Sequence, residues 1–121
     1  MNNATRAGPL TGLRVLEIGH FIAAPFGTRL LGDLGADVIK IEPPAGDPVR
    51  QWGTHIEGNS PWWSQHGRNK RCITLNLKHP KAKDIVLGLA AKSDAVVENF
   101  RPGQLARLGL GPDVLREARA D

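Results

Sequence analysis

Apolar and polar positions follow two rhythms along the chain, and the switches between them predict its elements. Leu13 to Ile18 (LRVLEI) is mostly apolar and β-favouring, as a strand covered on both faces is. Phe26, Leu30, Leu31 and Leu34 then recur at helical spacing and form one apolar stripe, with Pro25 in the first turn of the helix. Gly35 stops that helix where a left-handed residue is usually needed, and Val38 to Ile41 predicts a second buried strand. Strand, helix and strand within about thirty residues make a βαβ unit with a right-handed crossover. The turn after the first strand, carrying His20, therefore opens at the carboxyl edge of a parallel sheet, where α/β proteins bind ligands.

The rhythm is lost over residues 43–71. Prolines at 43, 44, 48 and 61 and glycines at 46, 53, 58 and 67 forbid a long regular element there. A loop of this length is either functional or disordered. Tryptophans at 52, 62 and 63 argue against disorder, and Trp52 is expected to pin the loop to its own domain or to a partner subunit, with Trp62 and Trp63 left open. Strict alternation returns over Cys72 to Leu77 (CITLNL), a strand. Pro80 opens a helix with Ile85, Val86 and Leu89 as its buried stripe, and Ala95 to Val97 is the fourth strand, also expected to be buried. Short helices over Pro102 to Leu108 and Pro112 to Arg119 complete the chain. This order is that of an α/β, Rossmann-like, doubly wound parallel sheet. The sheet looks incomplete, so the chain is expected to be the N-terminal part of something longer, with residues 1–12 a loose, cytoplasmic N-terminus.

Composition adds little to this picture. The chain has 121 residues, enough for one domain with a core, and no apolar run approaches the roughly 20 residues of a membrane span. A single cysteine, Cys72, excludes an internal disulfide framework. The net charge of +4 suits a polyanion such as a nucleotide phosphate as well as nucleic acid. The basic cluster Arg68, Lys70 and Arg71 reads either as a solvated loop or, with Trp62 and Trp63, as a weaker nucleic-acid candidate.

Candidate chemistry is sparse. The turn Gly19-His20-Phe21-Ile22-Ala23-Ala24 lacks the glycine fingerprint of a dinucleotide fold, and no Walker A pattern is present. His20 faces the crevice, as a cap or as a catalyst. His55, His66 and His79 have no metal-ligand spacing, and nothing marks Cys72 as an activated nucleophile. Asp33 is expected on the wet side of its helix and Asp37 at a strand start. Glu42 stands where a Rossmann protein grips a ribose.

Six words of sequence carry a resemblance. They are LTGLRVLE at 10–17, DLGADVIKIE at 33–42, GDPVR at 46–50, NKRCITLNLK at 69–78, SDAVVENFRPG at 93–103 and LARLGL at 105–110. In that order the chain resembles the N-terminal, CoA-binding part of the family III CoA-transferases, a group that also contains an acyl-CoA racemase. The resemblance implies CoA across the carboxyl edge of the sheet. It also implies contacts from His20, Ile22 and Ala23 in the first turn, from Pro43, from Leu75, Asn76, Leu77 and Lys78, and from Asn99, Phe100 and Arg101, with Arg107 on a phosphate. The expected substrates are an acyl-CoA and a carboxylic acid, without a metal, in an interlocked homodimer, with neither nucleic acid nor membrane as partner. Ile22 and Pro43 depart from residues some members carry there, and Asn76 replaces the usual aspartate. The essential aspartate of the family, and the racemase's acid/base pair, would lie downstream of Asp121. Transferase, racemase and non-catalytic CoA-binding module all remain open at this point.

Overall fold

Strands β1 (Arg14–Ile18), β2 (Asp37–Glu42), β3 (Lys70–Thr74) and β4 (Ala95–Glu98) form one open, all-parallel sheet in the order β3-β2-β1-β4. The computed structural model describes residues 7–119. Helix α1 (Ala23–Asp33) connects β1 to β2, and α3 (Ala82–Ala90) connects β3 to β4. The two crossovers pack on opposite faces, because α3 buries Val86 and Ala90 against Leu16, Ile18, Ile39 and Ile41, whereas Leu31 of α1 packs on Val15 and Val38. The strand order thus reverses between β1 and β4, which makes their carboxyl ends the topological switch point. Two short helices, α4 (Gln104–Arg107) and α5 (Pro112–Glu117), follow β4, with Leu105 and Leu110 closing the α3-side core.

Several expectations change. The apolar stripe of α1 does not face the sheet: Phe26, Leu30 and Leu34 are exposed, and the helix buries Ala24, Pro25, Thr28 and Gly32. The reason lies beneath the helix. Alternation along β1 and β2 sends Val15, Glu17, Val38, Lys40 and Glu42 to the α1 side, so the floor there is partly charged and the helix lies on it with small residues. Helix α3 shifts similarly, burying Ala82, Val86 and Ala90 and leaving Ile85 exposed. β3 begins two residues earlier than the alternation indicates, at Lys70, and Leu75 to Leu77 leave the ladder after Leu75 N–H donates to the Glu42 carbonyl at 2.8 Å. As an edge strand, β4 is only half-buried.

The buried charges form a closed set. The Lys40 ammonium donates to Glu17 Oε1 at 2.5 Å and pairs with Asp47 Oδ2 at 2.9 Å. Lys70 donates to Glu17 Oε2 at 2.7 Å and to the Pro25 carbonyl at 2.8 Å, and the Thr28 hydroxyl donates to Glu17 Oε2 at 2.6 Å. The side chains of Lys40, Lys70 and Glu17 have no solvent exposure. Two ammoniums against two carboxylates balance, as burial of charge demands.

The segment between β2 and β3 is ordered. Asp47 caps a single 3₁₀ turn over Pro48–Gln51, accepting from Val49 N–H at 3.0 Å. Ser60 caps helix α2 (Pro61–His66) and its hydroxyl donates to the Trp52 carbonyl at 2.7 Å. Trp52 packs against Phe21 and Trp62, and the Arg50 guanidinium lies 3.6 Å above the Trp63 ring. From Gly8 on, the N-terminal stretch lies against α1, with Leu10 N–H donating to the Leu34 carbonyl at 3.0 Å.

Removing the shared carboxylate leaves two ammoniums buried with one partner fewer. Glu17→Leu is therefore expected to cost about 3–5 kcal/mol in equilibrium denaturation, and a loss below about 1 kcal/mol would mean that the set is not a keystone.

Candidate functional site: an apolar groove with a basic margin

The turn that follows β1 is held from both sides. A side chain at Gly19 would place its Cβ 2.5 Å from Asn99 Oδ1 and 2.7 Å from the Ala24 Cβ, so close approach requires glycine there. His20 N–H donates to Asn99 Oδ1 at 3.1 Å, and Asn99 Nδ2 donates back to the His20 carbonyl at 2.8 Å. This reciprocal clasp joins the ends of β1 and β4 at the switch point. Phe21 adopts a left-handed backbone with φ of 64°, and its N–H donates to Asp47 Oδ1 at 3.3 Å. Such a conformation in a bulky residue is strained and persists only where its surroundings enforce it.

Above this turn lies a groove of about 300 Å³ over the carboxyl ends of β1 and β2 and the segment leaving β3. His20, Phe21, Pro43, Leu75, Leu77 and Phe100 are among its walls, with Asn76 and Lys78 also lining it. The His20 ring stands edge-on to Phe21 at 4.8 Å and to Phe100 at 5.1 Å. A second depression, about 530 Å³, lies between Arg101, Pro102, Gln104 and Arg107, and Gln104 lines both. Among the described residues, Lys78, Arg101 and Arg107 have no ion-pair partner. An apolar slot thus opens onto uncompensated positive charge, a surface suited to a ring carrying phosphates.

Most of the residues singled out from sequence converge here: His20, Pro43, Leu75, Asn76, Leu77, Lys78 and Phe100 line the groove, and Arg101 and Arg107 line its neighbour. Ile22 and Ala23 stand at the start of α1, outside both linings. Asn99 contributes through the clasp. Phe21, Gln104 and Leu108 were not singled out, yet they line the groove. Phe21 carried no sequence signal, since left-handed backbone is not expected of phenylalanine.

Glu42 does not have a free carboxylate for a ribose. Arg50 donates to it twice, at 2.7 and 2.6 Å, and Asp47 N–H donates at 2.7 Å. Burial alone would raise its pKa, but the Arg50 and Asp47 donors outweigh burial and hold the carboxyl below its ordinary value. Cys72 has the opposite fate: although the residue is exposed, partial burial of its sulfur and the Glu42 carboxylate push its thiol up to about 11. The basic cluster is spent on carboxylates: Arg68 pairs with Asp33, Lys70 with Glu17 and Arg71 with Asp37. Among the described residues no group of three or more His, Cys, Asp or Glu could hold a metal ion, and no helix is long and apolar enough to cross a membrane.

Fold and groove together define an α/β chain with a groove at the carboxyl edge of a doubly wound parallel sheet. Residues 10–120 match the profile of CoA-transferase family III. The chain belongs to that family. It is 50% identical over 105 residues to a succinyl-CoA–D-citramalate CoA-transferase of Chloroflexus aurantiacus, covering 85% of this chain and 26% of that protein. A human succinyl-CoA:glutarate CoA-transferase is 44% identical over 97% of this chain and 26% of its own length. Among solved structures, a CAIB/BAIF family protein from Brucella suis superposes with a TM-score of 0.87 at 37% identity, covering 94% of this chain and 32% of that one. The chain therefore spans about a quarter of the length of these curated relatives.

Because the Glu42 carboxyl is held below its unfolded value, its pairing contributes stability above that value and loses it as pH falls through the folded one. Arg50→Met is expected to cost about 1–2 kcal/mol near neutral pH, allowing for the partial exposure of Arg50. The deficit against the unmodified protein should close as the pH falls below the ordinary carboxylate range and Glu42 is protonated in the folded state too. A deficit that stays constant with pH would place its origin in the lost Trp63 stacking instead.

Proposed function

We propose that this chain is the CoA-binding part of an enzyme that moves CoA from an acyl-CoA thioester to a free carboxylic acid. The observation that carries the reading is the adjacency of the apolar groove and the basic depression, which share Gln104 in their linings. The groove walls offer His20, Phe100, Leu75 and Leu77 to the faces of a purine, while Arg101, Arg107 and Lys78 balance phosphate charge. These residues fit CoA, which joins an aromatic base to several phosphates.

The names of relatives narrow the substrates. Succinyl-CoA is the donor named for several, with D-citramalate, L-malate or glutarate as the acceptor. We extend that to this protein: succinyl-CoA as donor and a dicarboxylic acid as acceptor. Transfer breaks the donor's thioester C–S bond and one C–O bond of the acceptor carboxylate, forms the acceptor's C–S bond and leaves that oxygen on the donor's released carboxylate. A carboxylate nucleophile divides this exchange into easier steps through covalent intermediates. Glu42 and Asp47, beside the groove, are each held by buried or bidentate cations. As the resemblance to the family implies, we place the attacking carboxylate downstream of Asp121. The exposed row Phe26, Leu30 and Leu34 supports a covering subunit, in keeping with a homodimer, and a lone thiol suits a reducing, cytoplasmic setting.

The test uses the full reading frame that contains these residues. Titration calorimetry should detect CoA binding that weakens with salt, and exchanging both Arg101 and Arg107 for Met should weaken it about 10–100-fold. Chromatography of a reaction with succinyl-CoA and dicarboxylic acids should show a new CoA thioester. Binding indifferent to both arginines, or thioester hydrolysis without exchange, would contradict the reading.

A further inference from the structure

Lys40 does not line the groove, yet it holds both segments that build one wall. Its ammonium donates to Glu17 Oε1 at 2.5 Å and to the Gly19 carbonyl at 2.8 Å, and it stands as an ion pair 2.9 Å from Asp47 Oδ2. The first lies within β1, the second in the turn that follows it, and the third in the loop after β2. Asp47 extends the link, because its other oxygen accepts from Phe21 N–H at 3.3 Å and Val49 N–H at 3.0 Å. One buried cation thus ties the strained Gly19–Phe21 turn to the Pro43–Pro48 segment, and both line the groove.

Neutralising Glu17 does not account for this arrangement. Lys70 already pairs with the same carboxylate at 2.7 Å, and Thr28 donates to it as well. What Lys40 has and Lys70 lacks is contact with the groove-building segments: the remaining oxygen on Lys70 belongs to Pro25, inside α1. The two lysines therefore share a carboxylate and differ in what else they hold.

We propose that Lys40 is a positioning residue for the acyl-CoA site, fixing the turn that carries His20 and Phe21 to the loop at Asp47, so that the groove is formed before the ligand arrives. This rests on the reading of the groove as the CoA site. A preformed site spares the ligand the cost of ordering two loops, and small displacements of such walls weaken binding strongly.

The experiment compares Lys40→Met with Lys70→Met in the full-length protein. Each removes one of the two cations on Glu17, and Lys40→Met also leaves the buried Asp47 carboxylate without its cation. A purely structural role therefore predicts a larger loss of global stability in Lys40→Met but no change confined to the two groove segments. Hydrogen exchange by mass spectrometry, without ligand, is expected to accelerate at least tenfold over residues 19–23 and 45–50 in Lys40→Met and to stay within about twofold in Lys70→Met. The KM for succinyl-CoA and the Kd for CoA are expected to rise about tenfold in Lys40→Met only, with the KM for the carboxylic acid unchanged. Equal effects of the two substitutions, or faster exchange with unaltered CoA affinity, overturn the proposal. Should Lys40→Met fail to fold, Asp47→Asn keeps the acceptor for Phe21 and Val49 while removing the charge that Lys40 grips. It should reproduce the exchange and the KM pattern, and an unchanged pattern overturns the proposal equally. A wild-type protein that binds no CoA sinks the CoA reading by itself, while the exchange data still decide whether Lys40 holds the two segments.

Discussion

A glutamate shared by two buried lysines is the interaction on which the rest of this structure depends. Glu17 sits in the central strand pair, and its carboxylate is bracketed by Lys40 from β2 and Lys70 from β3, with Thr28 of α1 donating to the same group. Four elements meet at one charge that has no access to water. Buried ion pairs contribute little net stability compared with apolar packing, but they tolerate few alternative geometries, since each donor left unpaired is costly. Here the geometry they impose is the height of α1 above the sheet and the path of the chain leaving β1.

From that constraint the groove follows. The turn at Gly19 is pressed against Asn99 on one side and drawn towards Lys40 and Asp47 on the other, which leaves Phe21 in a left-handed conformation it would not adopt unaided. The ring of Phe21 then closes the groove beside His20 and Phe100. The apolar slot and its basic margin come from different levels of organisation: the slot from strand ends and prolines, the margin from the short helix α4 and the segment preceding it. Their meeting at Gln104 is a consequence of the crossover that places β4 beside β1.

Much of this was legible in the sequence, for physical reasons. The βαβ unit announced itself because Gly35 and the two apolar runs bound a helix too short to be anything else. The groove residues at 75–78 and Phe100 were legible only through the family's sequence words, since alternation alone extended the third strand to Leu77. What periodicity could not supply was the direction of α1. A stripe of Phe26, Leu30 and Leu34 normally marks the inward face, and the small residues Ala24, Thr28 and Gly32 carry a weaker signal although they make the buried contact. Likewise Glu17 and Lys40 lie in strands that read as buried on both faces, and only the three-dimensional pairing reveals how such charges are accommodated. Glu42 sits at the expected sheet edge, but a partner eight residues away, Arg50, takes its carboxylate.

The central claim is that the groove beneath Phe100 holds the base of CoA while Arg101 and Arg107 hold its phosphates. A crystal structure of the full-length protein with CoA tests this most directly. The account predicts the adenine ring against Leu75, Leu77 and His20, with phosphate oxygens within hydrogen-bond distance of Arg101 or Arg107. CoA bound elsewhere, with this groove filled by the protein's own side chains, would contradict it.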